Sequence, residues 1–406
     1  MSFDIQAIKA ELNTFDRKAL LAAKYGKVQA KLAEQGLAGL VCFKPQNTFY
    51  LSGFNPILYS HPVVVVLPAI GQPVLLCHCL RDRHSKDECV LEDIRLFGAW
   101  GKSKPVAADV YTAISMVCDD LKIKGQRLGF EGDFISVVQY QKLCDATKAA
   151  ELVNFSSQLN YLRMIKDEYD INLMRLSAYL GNIGMKAAID NIRKTEAEAS
   201  IASDIAMREA WVRDLGEFEV GAFGNTEGGI VNALWTYSMS GYRVAYGCDC
   251  PKNRVPQDGE VCLPVAWSSI GSLQTEIERT VIIGALDEEH DRAYDCMLEA
   301  RRRAKAVAKA GLRVGDLYDA AGSAFIDFGF RDYLPGRIGH GLGVSLHEAP
   351  SLDRGSDMIL EEGMAITIEP GIVFPGWGSV RDSDSVIIRK DGIEILSEYP
   401  EEKIIR

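Results

Sequence analysis

The sequence predicts an α+β protein: an α/β domain over residues 1–157, then a second domain over residues 158–406 that mixes long helices with antiparallel strands. Three observations carry this. Helix-period segments and short apolar runs alternate up to about residue 157. Longer amphipathic helical patterns begin near residue 162. Strand-like runs then follow with helices between them rather than in strict βαβ alternation. A length of 406 residues fits about two domains of ~100–200 residues each.

In the first part, residues 16–36 (DRKALLAAKYGKVQAKLAEQG) have helical periodicity and stop at a glycine. LAGLVCF then reads as a buried strand. HPVVVVLPA and QPVLLCHCL are apolar runs joined by a Gly-containing turn, which predicts a hairpin. In the second part, residues 162–192 read as one long amphipathic helix and residues 196–215 as another. A third runs from Asp287 to Ala310, with Gly311 as its expected C-cap. EVCLPVAW, TVIIGA, MAITIEPGIV and SVIIRK read as strands. No repeat, low-complexity tract or flexible linker is visible.

Composition narrows the function. The net charge of −11 argues against a nucleic-acid partner, which would want a basic face. No run of ~18 apolar residues exists to span a membrane. The N-terminal MSFDIQAIKAELN lacks the layout of a signal peptide, so a cytoplasmic location is expected. The 10 cysteines are scattered and include no C-x-x-C pair, so structural zinc is not expected.

Chemistry-bearing residues concentrate late in the chain. His340 and His347 lie in GRIGHGLGVSLHEAP, among glycines that let backbone approach closely. Glu369 lies in TIEPG, Glu276 and Glu278 in TEIERT, and Arg381 in RDSD, each beside apolar sequence. An ionised group in apolar surroundings must be paired or functional, because a lone buried charge is costly. Together they predict one polar pocket in a sheet.

GHGLGVSLHEAP and TIEPGIV resemble the motifs of the creatinase and aminopeptidase P superfamily, over nearly the whole chain. The resemblance implies a smaller N-terminal domain followed by a "pita-bread" catalytic domain. Peptidases of that superfamily hold two divalent metals with two aspartates, a histidine and two glutamates. By the family's spacing these positions fall on Val265, Glu276, His340, Glu369 and Ser383. Valine cannot ligate a metal and serine is a poor ligand. A further histidine of the peptidases falls near Cys248. The pattern therefore resembles the metal-free members, creatinase and ectoine hydrolase.

That resemblance implies a metal-free hydrolase of a C–N bond in a small amidine, guanidine or cyclic nitrogen compound, with no metal and no cofactor. A metal-dependent Xaa-Pro peptidase or lyase with a reduced metal site is the alternative, and a non-catalytic binding protein is the third reading. Glu278, Glu369 and His347 are the expected catalytic residues. Carboxylates can grip a cationic substrate, and imidazole can shuttle protons. His340, Arg381, Glu276, Tyr59, His61 and Cys248 are expected to bind substrate. Arg279 and Arg381 are expected to keep the carboxylates ionised. Cys248 serves as a nucleophile only if its pKa is depressed. Tyr59 and His61 fall where creatinase-type enzymes reach across a dimer, so a homodimer with shared active sites is expected.

Overall fold

A computed structural model describes residues 3–223 and 233–406 and divides the chain into two compact units. One contains residues 14–163. The other contains residues 164–222 and 232–406 together with the first 13 residues.

The first unit is built on six strands: β1 (Gly39–Cys42), β2 (Val64–Pro68), β3 (Val74–His78), β4 (Asp93–Phe97), β5 (Arg127–Phe130) and β6 (Glu151–Asn154), in the order β4-β3-β2-β1-β5-β6. The predicted hairpin is β2–β3, antiparallel, with Val65 opposite Leu75. Its runs are continuously apolar because both faces are covered. Leu40, Val65 and Leu75 pack into one core cluster, and Val41, Val64 and Val66 into another. Buried Glu131 accepts hydrogen bonds from the backbone of Phe43 (2.5 Å) and Lys44 (2.9 Å) and from Asn47 (2.6 Å), tying the end of β1 to the helix Pro45–Ser52.

The second unit carries β7 (Leu234–Ser240), β8 (Val261–Ile270), β9 (Leu273–Glu278), β10 (Val281–Ile282), β11 (Arg337–Gly341), β12 (Glu348–Asp353), β13 (Ala365–Ile368), β14 (Gly371–Phe374), β15 (Gly378–Arg381), β16 (Ser383–Arg389), β17 (Gly392–Ile395) and β18 (Ile404–Ile405). The main sheet runs β12-β11-β13-β16-β9-β8-β10-β18, with β7 also on β8 and β17 on β16. The helices Glu288–Val307 and Val314–Asp327 supply Ala293, Met297, Leu317 and Phe325 to the core under β11, β13 and β16. No helix among the described residues is long and apolar enough to cross a membrane.

Two local expectations are corrected. Residues 162–192 are not one helix; the chain forms Ser156–Met164 and then Glu168–Asp190. Asp167 caps the second helix by accepting from the Asp170 N–H (2.9 Å), and Lys166 forms a buried ion pair with Glu348 at 2.7 Å. The third helix ends at Val307 with Ala308 as its C-cap. Gly311 instead sits in the following turn and donates its N–H to Leu360 O (2.8 Å).

Beneath β9 and β16 lies a buried ion cluster. Arg279 donates to Asp384 (2.6 Å) and to the carbonyl of Ser383 (2.9 Å), and Arg301 donates to Asp382 (2.9 Å) and to Asp384. Lys305 also pairs with Asp384. These cations hold the Asp384 carboxyl far below the usual carboxylate range, although burial alone would push it up. Removing one partner of a buried network leaves uncompensated charge, at about 3–5 kcal/mol. Asp384→Asn should therefore lower stability by about that amount near neutral pH. Because the folded-state pKa is depressed, the contribution is present above the ordinary carboxylate range and is lost as pH falls below it. Urea unfolding of both proteins at pH 7 and at ~pH 3 checks this: the gap should narrow in acid.

Candidate active site

The β8–β9 hairpin turns at Gly271 and Ser272, both with positive φ (55° and 65°), the geometry of a two-residue turn that matches strand twist. This turn fixes the register across the sheet. Val265 lies opposite Glu278, and Glu278 lies opposite Ser383 on β16. Two residues along, Trp267 lies opposite Glu276. Side chains two apart share a face. One face thus carries Tyr237, Val265, Trp267, Glu276, Glu278 and Ser383, while Arg279 and Asp384 point to the other.

His340 reaches this face from β11. Its backbone N–H donates to Thr367 Oγ1 (2.9 Å). The flanking glycines permit the approach: a Cβ on Gly339 would sit 2.2 Å from Thr367 O, and one on Gly341 would sit 2.1 Å from Ala349 O. Glu369 follows β13, where Pro370 ends the strand and the Glu369 N–H donates to Ile338 O (2.8 Å).

These residues converge. His340 Nε2 lies 3.7 Å from Glu276 Oε2 and 3.7 Å from Glu369 Oε1. Ligand atoms of Glu276, Glu278 and Glu369 lie within 4.8 Å of one another, as do those of Glu276, His340 and His347. Trp267 Nε1 donates to Glu276 Oε2 (2.7 Å) and Ser383 Oγ to Glu276 Oε1 (2.8 Å). Arg381 donates through Nε to Glu278 Oε2 (2.5 Å) and through Nη2 to Glu278 Oε1 (2.8 Å).

The protonation pattern follows. His340 Nδ1 lies 3.0 Å from Gly341 O, and a carbonyl only accepts, so Nδ1 carries the proton and Nε2 a lone pair. Burial lowers the pKa of His340, and burial with the neighbouring His340 lowers that of His347. Burial and the charges of Glu276 and Glu278 push Glu369 well up. Burial pushes Glu278 up to about 7 against the pull of Arg381. Burial opposes ionisation of Glu276 too, but His340, Ser383 and Trp267 together bring it below its ordinary value.

The structure brings together Glu276, Glu278, Glu369, His340, His347 and Arg381 among the expected site residues. His347 is exposed, its ring centroid 4.2 Å from that of His340. Arg279 does not join them, because it serves the ion cluster on the opposite face. Cys248 is exposed, and desolvation is the chief influence raising its thiol pKa, so the depressed pKa on which a nucleophilic role was conditional is absent. Tyr59 and His61 belong to the other unit. There the Tyr59 hydroxyl donates to Asn55 (3.1 Å), and the His61 ring stacks on His78 at 3.8 Å. Sequence reasoning missed Trp267 and the donor role of Ser383. Counting outward from the Gly271–Ser272 turn places Trp267 opposite Glu276 and could have found the first.

Residues 172–390 match metallopeptidase family M24, and residues 24–165 match the creatinase/prolidase N-terminal domain. The chain is 26% identical over 359 residues to the Xaa-Pro dipeptidase of Pyrococcus furiosus, covering 88% of this chain and 93% of that one. Among solved structures, the Xaa-Pro dipeptidase from Bacillus anthracis superposes with a TM-score of 0.81 at 24% identity, over 95% of this chain and 100% of that one. A prolidase from Thermococcus sibiricus gives 0.80 at 23% identity, over 97% and 100%. At these identities the superpositions speak to the fold alone, and the pita-bread arrangement is theirs too. The matched family is one of metallopeptidases, and curated relatives from two Pyrococcus species are named Xaa-Pro dipeptidases. This overturns the expectation of a creatinase-like, metal-independent hydrolase of amidines, guanidines or cyclic nitrogen compounds.

The raised carboxyl pKa values predict an unusual pH dependence. The folded chain holds protons on Glu278 and Glu369 that the unfolded chain has released, so this contribution to stability falls as pH rises from the ordinary carboxylate range (~4.5) through about 7 and beyond. Chelator-treated protein should lose stability between pH 5 and pH 8. Glu369→Gln, which cannot ionise, should lose less, and thermal midpoints across that range read the difference.

Proposed function

This chain belongs to metallopeptidase family M24, and from that membership we propose that it is a divalent-cation-dependent hydrolase of the peptide bond in small Xaa-Pro-type peptides. One observation carries the reading. Glu276 Oε2 and Glu369 Oε1 each lie 3.7 Å from His340 Nε2, which carries a lone pair because the imidazole proton sits on Nδ1, and a cation bound there would displace the proton that Glu369 holds in the ion-free chain. A cation resolves such an arrangement, and imidazole with carboxylates is a fitting donor set for a transition metal. The five-residue, two-ion set does not fit this chain, since Val265 offers no ligand atom and Ser383 directs its hydroxyl hydrogen to Glu276. Glu276, His340 and Glu369 are the residues that would hold an ion.

A bound divalent cation supplies Lewis-acid polarisation of the scissile carbonyl. The chain's own groups supply the rest. The Nδ1–H···O=C bond to Gly341 fixes the His340 ring and its tautomer. Exposed His347, neutral near pH 7 because its pKa is lowered, accepts a proton during attack and returns it to the leaving nitrogen. Arg381 holds Glu278 in place by two parallel hydrogen bonds. The shared-site homodimer belongs to this reading as well: exposed His61 is the residue available for a partner, and sedimentation tests the assembly.

Loaded with Mn²⁺, Co²⁺ or Zn²⁺, the purified chain should hydrolyse Xaa-Pro dipeptides, lose the activity to a chelator and regain it on reloading. His340→Ala and Glu369→Gln should each lower kcat/KM at least ~10²-fold, the scale of one preorganised electrostatic group. His347→Ala should alter the pH profile. A folded, ion-loaded chain inert toward a panel of Xaa-Pro and other dipeptides would overturn the proposal.

A further inference from the structure

Resting on the reading of Glu276, His340 and Glu369 as cation ligands, we infer that the centre is built for a single cation. Arg381 provides the second positive charge as a fixed guanidinium, and Trp267 and Ser383 are positioning residues that orient Glu276.

The cross-strand row Val265–Glu278–Ser383 lies beside the three facing acceptors. Of these three side chains only Glu278 has the chemistry of a strong ligand, and Arg381 already donates to both of its oxygens. A guanidinium does not deprotonate in proteins, so Arg381 keeps its charge at any working pH. Arg381 is further fixed by its Nη2 donation to Gly247 O (3.1 Å) and by its backbone N–H donation to Thr280 Oγ1 (2.9 Å). Val265, fully buried, fills its place in the row with an isopropyl group. Arg381 therefore places a fixed positive charge beside the row, on the carboxylate that a second ion would otherwise use as a ligand.

Glu276 is held differently. Each of its oxygens accepts one side-chain hydrogen bond: Oε1 from Ser383, Oε2 from Trp267. Oε2 is also the oxygen that faces His340 Nε2. A carboxylate oxygen has two lone-pair sites, so Oε2 keeps one for a cation while the indole N–H fixes its direction. The indole is itself fixed, because its ring packs against Trp235 at 4.1 Å and Tyr237 at 5.5 Å. With both oxygens braced, Glu276 presents one oxygen to one ion and does not rotate to bridge two.

The test uses the full chain stripped of metal, then titrated with Mn²⁺ or Zn²⁺ by equilibrium dialysis with elemental analysis, and with Mn²⁺ by electron paramagnetic resonance. One ion per chain at saturation and an uncoupled Mn²⁺ spectrum are expected. Trp267→Phe and Ser383→Ala should weaken ion affinity ~10–100-fold, the usual cost of losing a partner that orients a ligand. Stoichiometry and the ion-free thermal midpoint should stay near those of the parent chain. Two ions per chain, or a spin-coupled Mn²⁺ pair, would overturn the single-cation inference and leave the peptidase reading standing. Unchanged affinity in the folded variants would overturn the positioning roles, with Ser383→Ala deciding alone if Trp267→Phe does not fold. A parent chain that binds no ion would remove the functional reading and this inference together.

Discussion

Glu276, Glu278 and Glu369 bring three carboxylates within 4.8 Å of one another on a sheet face where burial removes most of the screening of bulk water. Like charges so placed cannot all ionise without compensation. The chain answers each carboxylate separately. Arg381 neutralises Glu278 with two parallel hydrogen bonds, and Ser383 and Trp267 solvate Glu276 in place of water. For Glu369, burial and the charges of Glu276 and Glu278 outweigh the pull of Arg381, and its carboxyl is driven toward the protonated form, hydrogen-bonded to Glu276. The position of Glu369 beside the bare nitrogen of His340 makes this the place where a cation changes the electrostatics most.

Much of this was legible in the sequence. The glycines around His340, the Glu-Pro-Gly after β13 and the Glu-Arg-Thr after β9 locate the site residues in advance, because strand alternation and short turns are local properties. The same alternation, applied one residue further, separates Glu278 from Arg279 and joins Arg381 to Ser383. The expectation that Arg279 serves the site ignored that period of two. The break between the helices at Ile165–Asp167 was not legible. Asp167 is a local N-cap signal, but the Lys166–Glu348 pair that accompanies the break joins residues 182 apart, and helical periodicity carries no trace of such a contact.

The metal-independent expectation failed for a related reason. Counting absent ligands at Val265 and Ser383 tallies only what is missing. Whether the remaining acceptors demand a cation depends on distances between β9, β11 and the residue after β13. Those distances are set by sheet order and by the close approach that Gly339 and Gly341 allow. A diminished ligand set is therefore compatible with a centre that still draws in positive charge.

The ion cluster lies across the sheet from the site: Arg279, Asp382 and Asp384 alternate with Glu278 and Ser383, and Arg301 and Lys305 reach them from the helix Glu288–Val307. Strand pairing and burial at this spot are thus secured by side chains on the face opposite Glu278 and Ser383. Positions 265 and 383 can exchange ligand for non-ligand while the scaffold beneath them keeps its own cohesion. Such a sheet is an evolvable platform: its chemistry can be rewritten by point substitution on one face, with the memory of the fold stored on the other.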